Sequence, residues 1–358
     1  MLNDAGHQAY FVGGCVRNAL IGAPVSDLDV CTSARPDETI TLARAAGLKA
    51  VPTGYDHGTI TVIVEGIPYE VTTFRRDVQT DGRHAVVAFA DTIQEDARRR
   101  DFTMNALYAD ASGAVHDPVD GVTDLTAGHL RFIGDPEARI TEDYLRILRF
   151  FRFSAWYGNP DLGIDADGLA ACAAHIDGLS LLSVERVTSE LLKLLAAPDP
   201  SMAVASLASI GGLAVLLPGA SAAALAVLVH LEHQRGPDPV RRLAVIGGET
   251  AKLRLSKADR RKLESILAGI GTDLKELGYR FPETAADSYL VQQASIGQPL
   301  DPADLARIAD AATQVFPVSA ADLMPRYTGP ALGQKLKQLE QKWIDSGFAL
   351  SASELCAD

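Results

Sequence analysis

Cysteine is scarce in this 358-residue chain. Cys15, Cys31, Cys172 and Cys356 lie far apart, with no paired metal spacing. They read as reduced thiols in a cytosolic protein. Aromatic residues make up only 6% of the chain, and positive charge is in deficit, with a formal net charge of −13. An acidic total argues against a uniformly basic surface for nucleic acid. The first residues, Met1-Leu2-Asn3-Asp4, offer neither the basic region nor the apolar core of a secretory signal. One long stretch lacks charge, Met202 to Val229, but Gly211-Gly212 and Pro218-Gly219 interrupt it. It is expected as two buried helices, with no membrane involvement. There is no repeat of fixed period and no low-complexity tail.

What the chain does have is apolar residues, 47% of the total, enough for a sizeable core and too many for a disordered chain. The first third reads as mixed structure. Ala9 to Val12 is a short strand ending in Gly13-Gly14, followed by a helix over Cys15 to Ile21, and Leu28 to Cys31 is a second strand. Gly58 to Val64 and Tyr69 to Phe74 are rich in β-branched residues and flank Glu65-Gly66-Ile67-Pro68, a hairpin signal. Helical patterns dominate from Ile93. Thr141 to Ala155 is expected as one helix with Thr141 as its N-cap, and Leu182 to Leu195 as another, opened by Ser183. Pro198-Asp199-Pro200, Gly236 to Pro239 and Gly297 to Pro302 mark breaks.

Several segments carry chemistry. Glycines between a strand and a helix, as at Gly13-Gly14, let a backbone approach phosphates, and Arg17 one turn on could add a guanidinium fork. Taken alone, the same glycines read as a plain tight turn. In Asp27-Leu28-Asp29-Val30, strand alternation would put both carboxylates on one face about 7 Å apart, with Leu28 and Val30 buried on the other. Such a pair can share a hard cation such as Mg²⁺, although a solvated turn has the same pattern. Glu70, between Tyr69 and Val71, would add a third carboxylate. Three carboxylates on one sheet suit two-metal phosphoryl or nucleotidyl transfer.

The ordered set is more specific than its members. Gly13-Gly14-Cys15-Val16-Arg17, Asp27-Leu28-Asp29, Tyr69 to Phe74, Arg99-Arg100-Asp101-Phe102-Thr103-Met104-Asn105-Ala106 and Glu142-Asp143-Tyr144-Leu145-Arg146 follow one another in the chain. In these segments the sequence resembles the class II tRNA nucleotidyltransferases, the CCA-adding enzymes, and the similar bacterial poly(A) polymerases. Leu253 to Lys257 and Gly329 to Gly333 extend the resemblance towards full length. The fold it implies is α+β: a mixed-sheet nucleotidyltransferase head (1–120), then an all-helical neck (121–197), body (198–270) and tRNA-binding tail (271–358).

By position, the resemblance makes Asp27 and Asp29 the metal ligands, with Glu70 as the third catalytic carboxylate. It gives Gly13, Gly14, Arg17 and Arg100 to the nucleotide, supported by Asp101 and Asn105. Asp143, Arg146, Arg149 and Arg152 would form a base-reading helix. Asp143 and Arg146 at i, i+3 would share a helix face. A carboxylate only accepts and a guanidinium only donates. Cytosine and adenine both present an amino group beside an acceptor nitrogen, whereas uracil and guanine present the reverse. The implied activity is Mg²⁺-dependent, template-free addition of C, C and A from CTP and ATP to the 3′ end of tRNA. The implied location is the cytoplasm, with no membrane or protein partner. Poly(A) polymerase, a CC- or A-adding enzyme and an inactive RNA-binding relative are the alternatives.

Residues 75–97, with Arg75-Arg76-Asp77 and Asp81-Gly82-Arg83-His84, read as a mobile loop resembling the one full CCA-adding enzymes use to switch from C to A. Asn18 stands where the family pattern usually has Asp, and the chain begins about eight residues before the first strand, so a start further upstream is expected. His116-Asp117 resembles a phosphohydrolase metal pair but has no further spaced ligands, and is expected to be structural. Finally, the charge is segregated. Residues 241–262 hold Arg241, Arg242, Lys252, Arg254, Lys257, Arg260, Arg261 and Lys262 against Glu249 and Asp259, a net +6 that leaves −19 elsewhere. That stretch is expected on the tRNA surface.

Overall fold

A computed structural model describes residues 1–81, 84–232 and 235–357. They form two compact units, the first made of 1–220 with 249–253 and the second of 221–248 with the chain from 254 onward.

The first unit begins with a sheet. Its elements are β1 (Ala9–Val12), α1 (Gly14–Leu20), β2 (Asp29–Thr32), α2 (Pro36–Ala45), β3 (Lys49–Gly54), β4 (Thr59–Val64) and β5 (Ile67–Thr73). A two-stranded ribbon, β6 (Arg75–Asp81) with β7 (His84–Phe89), comes next, then α3 (Ile93–Arg98) and the short β8 (Tyr108–Ala109) and β9 (Val115–His116). The seven-stranded sheet runs β3-β4-β5-β2-β1-β8-β9. Only β2 and β5 pair in parallel, so the sheet is mixed as expected. The β4–β5 hairpin turns on Glu65 (φ 52°) and Gly66 (φ 84°) alone, two positive-φ residues whose twist suits tightly paired strands. Ile67 and Pro68, expected in the turn, are therefore strand residues.

Side chains alternate across a strand, and β2 shows the consequence: Val30 packs into one apolar cluster and Cys31 into another. Val12, Phe74, Ile93, Ala97 and Tyr108 join Cys31, while Ile60, Val62, Val71 and Ala43 join Val30. Both faces of the sheet are thus covered. The segment expected as a mobile loop over 75–97 is instead the β6–β7 ribbon followed by α3, which is capped by the Thr92 hydroxyl. Gly82 and Arg83 of that segment lie outside the described residues.

Helices follow: α4 (Gly121–Ala127), α5 (Pro136–Glu142), α6 (Leu145–Tyr157), α7 (Ala166–Ala174), α8 (Val184–Leu195), α9 (Ser201–Ser209) and α10 (Gly212–Leu216). The single helix expected over 141–155 is two. Asp135 caps α5 through Ala138 N, and Thr141 sits in the last turn with its hydroxyl on the Glu137 and Ala138 carbonyls. Asp143 is extended (φ −156°), which breaks the chain direction before α6. The Tyr144 ring covers Gly178 so closely that a Cβ there would enter the ring, which fixes the break. Ser183 does precede α8, but its hydroxyl makes no capping bond. Phe150 and Phe153 of α6 pack with Phe102 and Phe132, fastening the helix to the Arg-rich segment after α3.

In the second unit, α11 (Leu225–Leu231) and α12 (Pro239–Ile246) precede α13 (Lys257–Gly269), α14 (Leu274–Arg280), α15 (Ala285–Ser295) and α16 (Pro302–Ala312). The chain ends with α17 (Ala320–Leu323), α18 (Gly329–Asp345) and α19 (Ala352–Cys356). The uncharged 202–229 region therefore contributes to three helices, α9, α10 and α11, rather than two. No helix among the described residues is long and apolar enough to cross a membrane. The basic stretch needs correction. Arg241 and Arg242 are buried and share the Glu232 carboxylate, Arg241 also reaches Asp287, and Lys262 pairs with Asp238 and Asp287. Burial of a guanidinium requires such pairing, so Arg241 and Arg242 serve the core, with half-buried Lys262 tied to Asp238 and Asp287. Lys252, Arg254, Lys257 and Arg261 remain exposed.

Candidate active site

The parallel β2–β5 ladder sets the central geometry. Its register places Asp29 directly beside Glu70, then Val30 beside Val71. Asp27 lies just before β2 rather than within it, and Leu28 is 39% exposed instead of buried. The expected strand alternation therefore fails at 27–28, because pairing begins only at Asp29. Asp27 and Asp29 nonetheless line one cleft of about 370 Å³, together with Gly14, Arg17, Arg152 and Trp156. Asp29 and Glu70 line a second, with Arg99 and Arg100. Asp29 keeps solvent access, yet the protein crowding it raises its pKa, and the Asp27 charge adds to this against the pull of Arg100. No three His, Cys, Asp or Glu side chains among the described residues form a ready-made metal cluster.

Gly13 joins β1 to α1 with φ 74°, a conformation that favours glycine. A Cβ there would lie 3.6 Å from Arg100 Nη1 and 3.5 Å from the Asn105 carbonyl, so this turn and the Arg-rich segment meet. Arg17 is buried, and burial lowers its pKa against the pull of Tyr157 and Asp101. Its guanidinium lies 4.0 Å from the Tyr157 ring centre and donates to Asn105 Oδ1, to Asn18 Oδ1 (3.0 and 3.2 Å) and to Tyr157 Oη (2.8 Å). Those four bonds leave one of its five N–H groups for any ligand. Asn18 uses its other end, Nδ2, to donate to the Pro24 carbonyl at 2.8 Å, a bond an ionised Asp could not make.

The chain of contacts continues. Asn105 Nδ2 donates to Asp101 Oδ1 (3.0 Å), and Arg149 Nε donates to Asp101 Oδ2 (2.7 Å). Arg17, Asn105, Asp101 and Arg149, drawn from three separate segments, are thus one network. Burial would raise the Asp101 carboxyl, but Arg149 and the Asn105 amide outweigh it and bring its pKa to about 2.

Sequence reasoning overlooked Asp96, the buried centre of a second network. Its Oδ1 accepts from Arg99 Nε (2.9 Å) and the Arg75 backbone N–H (3.1 Å). Its Oδ2 accepts from Arg100 Nε (3.1 Å) and Nη2 (2.8 Å) and from Tyr108 Oη (2.9 Å). Burial opposes the charge, yet Arg100 and Arg99 hold Asp96 well below the usual carboxylate range. Arg100 is fixed so that Nη1 points past Gly13. The signal was available: Asp96 precedes Arg99 and Arg100 by three and four residues, the helical spacing for ion pairs.

The base-reading expectation is corrected in its geometry. Asp143 and Arg146 do not share a helix face, because Asp143 stands at the break and its Oδ1 caps Leu145 N. Asp143 pairs with Arg186 of α8 (2.6 Å), while Arg146 pairs with Glu142 and with the Arg139 carbonyl. Arg152 pairs with Glu190, also of α8 (3.2 Å). Arg186 and Glu190 escaped sequence reasoning because their partners lie more than 35 residues away. His116-Asp117 is structural: Asp117 accepts from Gly121 N and Val122 N, and His116 packs on Tyr10.

Two segments of the chain match known families. Residues 9–131 match the poly A polymerase head domain, and residues 161–224 match the probable RNA and SrmB-binding site of polymerase A. The chain is 44% identical over 199 residues to a CCA-adding enzyme of Streptococcus pyogenes, covering 55% of this chain and 48% of that one. It is 41% identical over 220 residues to a CCA-adding enzyme of Geobacillus thermodenitrificans, covering 61% and 52%. The chain thus spans about half the length of the curated relatives it matches. The Bacillus stearothermophilus CCA-adding enzyme in complex with CTP superposes with a TM-score of 0.75 at 29% identity, over 97% of this chain and 91% of that one. The Thermotoga maritima CCA-adding enzyme complexed with tRNA shares the fold at TM-score 0.70 and 18% identity, over 99% and 91%. With its head domain and its RNA-binding segment both matched, the chain belongs to the family of the CCA-adding enzymes and poly(A) polymerases.

Proposed function

We propose that this protein adds C, C and A to the 3′ end of tRNA from CTP and ATP, without a template and with release of pyrophosphate. The observation that carries the reading is the pairing of Asp29 with Glu70, with Asp27 at the same cleft mouth as Gly14 and Arg17. Relatives that match the chain are named for this activity, and one superposed structure holds CTP.

Enzymes of this family use a divalent metal. The donor set fits one: Asp27 and Asp29 are solvent-accessible hard oxygen donors at one cleft. Asp27 and Asp29 would hold Mg²⁺, which when bound supplies positive charge for the attacking hydroxyl and the triphosphate. The protein's own groups do the rest. Arg100 Nη1, held beside Gly13 by the bonds of Nε and Nη2 to Asp96, and the spare N–H of Arg17 donate to phosphate oxygens. The Arg17–Asn105–Asp101–Arg149 network keeps that edge in place. The 3′ hydroxyl of the RNA attacks the α-phosphorus in line, and no side chain forms a covalent intermediate. Asp143 at the break and Arg146 in the first turn of α6 select C and A by exchanging Arg186 and Glu142 for the base edge, with Arg149 and Arg152 further along α6. Residues 1–120 act as catalytic head, 121–197 as neck, 198–270 as body and 271–358 as tRNA-binding tail, in a cytoplasmic protein.

The test is incorporation of each labelled triphosphate into tRNA lacking CCA. CTP should add twice and ATP once. Asp27→Ala with Asp29→Ala should abolish incorporation while the protein stays folded by circular dichroism. Long A tails on unrelated RNA, or full activity of the double variant, would overturn the reading.

A further inference from the structure

The chain has two tryptophans, and they differ in surroundings. Trp343 is 3% exposed in an apolar cluster of the second unit, whereas Trp156 is 43% exposed although it is among the largest apolar side chains. Trp156 lies in the cleft that also holds Asp27 and Asp29. Its polar edge is satisfied, since Nε1 donates to the Lys193 carbonyl at 2.8 Å, which pins the ring to α8 at one edge. The Lys193 ammonium beside it is 57% exposed and reaches Glu190 only at 4.0 Å. In the same cleft, the Arg17 and Arg152 guanidinium groups lie over the Phe153 ring. Trp156 is ten residues beyond Arg146 along α6, about 15 Å at 1.5 Å per residue, so the two ends of the helix can hold different bases.

We propose that Trp156 is a stacking platform for the last base of the RNA acceptor strand, with Lys193 meeting the adjoining phosphate. This rests on the activity proposed above and names the RNA-binding part of that site. An RNA end that is extended one nucleotide at a time presents a different last base in successive cycles. Hydrogen-bond readout of that base would favour one cycle over the others, whereas stacking on an aromatic face accepts every base. A ring already pinned by Lys193 loses little freedom on binding.

Intrinsic fluorescence and kinetics on the full chain test this together. The probes are an acceptor-stem minihelix ending in CC, and CTP or ATP alone. The minihelix should quench the emission, the triphosphates alone should not, and Trp156→Leu should abolish the quench while Trp343 still emits. Trp156→Leu should raise KM for the minihelix roughly 5- to 150-fold, leave KM for ATP unchanged, and be rescued largely by Trp156→Phe. Quenching by a triphosphate alone would assign the platform to the incoming nucleotide and overturn the proposal. An unchanged minihelix KM in Trp156→Leu would also overturn it. If the wild-type chain binds and quenches with the minihelix but never extends it, the proposed activity fails and the platform stands.

Discussion

Replacing Asp96 by alanine removes the carboxylate on which Arg99, Arg100, Tyr108 and the Arg75 backbone converge. Asp96 itself is fully buried, and the side chains of Arg99 and Arg100 are only 18% and 19% exposed. Water therefore cannot take over the contacts in full. Breaking a buried pair by deleting one partner costs about 3–5 kcal/mol, because a charge is left without compensation. For a unit of this size each kcal/mol lowers the melting temperature by about 2–4 °C, so the expected drop is roughly 6–20 °C. Asp96→Asn keeps an acceptor oxygen but not the charge, and should fall between the two. Differential scanning calorimetry of the full chain measures the drop, and CTP titration of the incorporation rate measures the second consequence. With Arg100 no longer aimed past Gly13, KM for CTP should rise in both variants. A melting temperature for Asp96→Ala within about 2 °C of wild type would refute the clamp.

Two further outcomes follow from the same networks and charges. The Asp101 carboxyl is held at about 2 against an ordinary 3.8, so its stabilisation is complete above that ordinary value and is lost as pH falls from 3.8 towards 2. Urea unfolding across that window should show a loss of roughly 2 kcal/mol that Asp101→Asn removes; an identical acid limb in the variant would sink the assignment. In the basic stretch, only the outward cations should matter for RNA. Lys257→Glu with Arg261→Glu should weaken tRNA binding and flatten its salt dependence, and a slope unchanged from wild type would show that this surface makes no phosphate contact.

Legibility in the sequence followed the range of the interactions. The strand–Gly13–helix turn, the β4–β5 hairpin and the Pro- and Gly-marked breaks are local, and each appears within a few residues of its expected place. The two-residue strands β8 and β9 carry too few side chains for a periodic pattern and become strands only through pairing. Residues 75–83 are largely polar and look like a loop, yet backbone pairing between β6 and β7 makes 75–81 one strand of a ribbon whose partner, 84–89, lies just beyond. The break at Asp143 was invisible because residues 141–155 suit a helix locally, and what interrupts it is the Tyr144 ring seated over Gly178, over 30 residues away.

Charge shows the same limit most clearly. Arg241 and Arg242 look like surface cations beside Lys257 and Arg261 until Glu232 and Asp287 take them inward. Arg17 looks like a free phosphate fork until Asn105, Asn18 and Tyr157 occupy it. Which carboxylates, glycines and arginines the chain carries, and in what order, can be read residue by residue, and with them its family. Which of those charges face a ligand and which face each other depends on how the chain packs. A charge seeks a partner wherever water is excluded, and water is excluded by contacts between residues far apart in the chain.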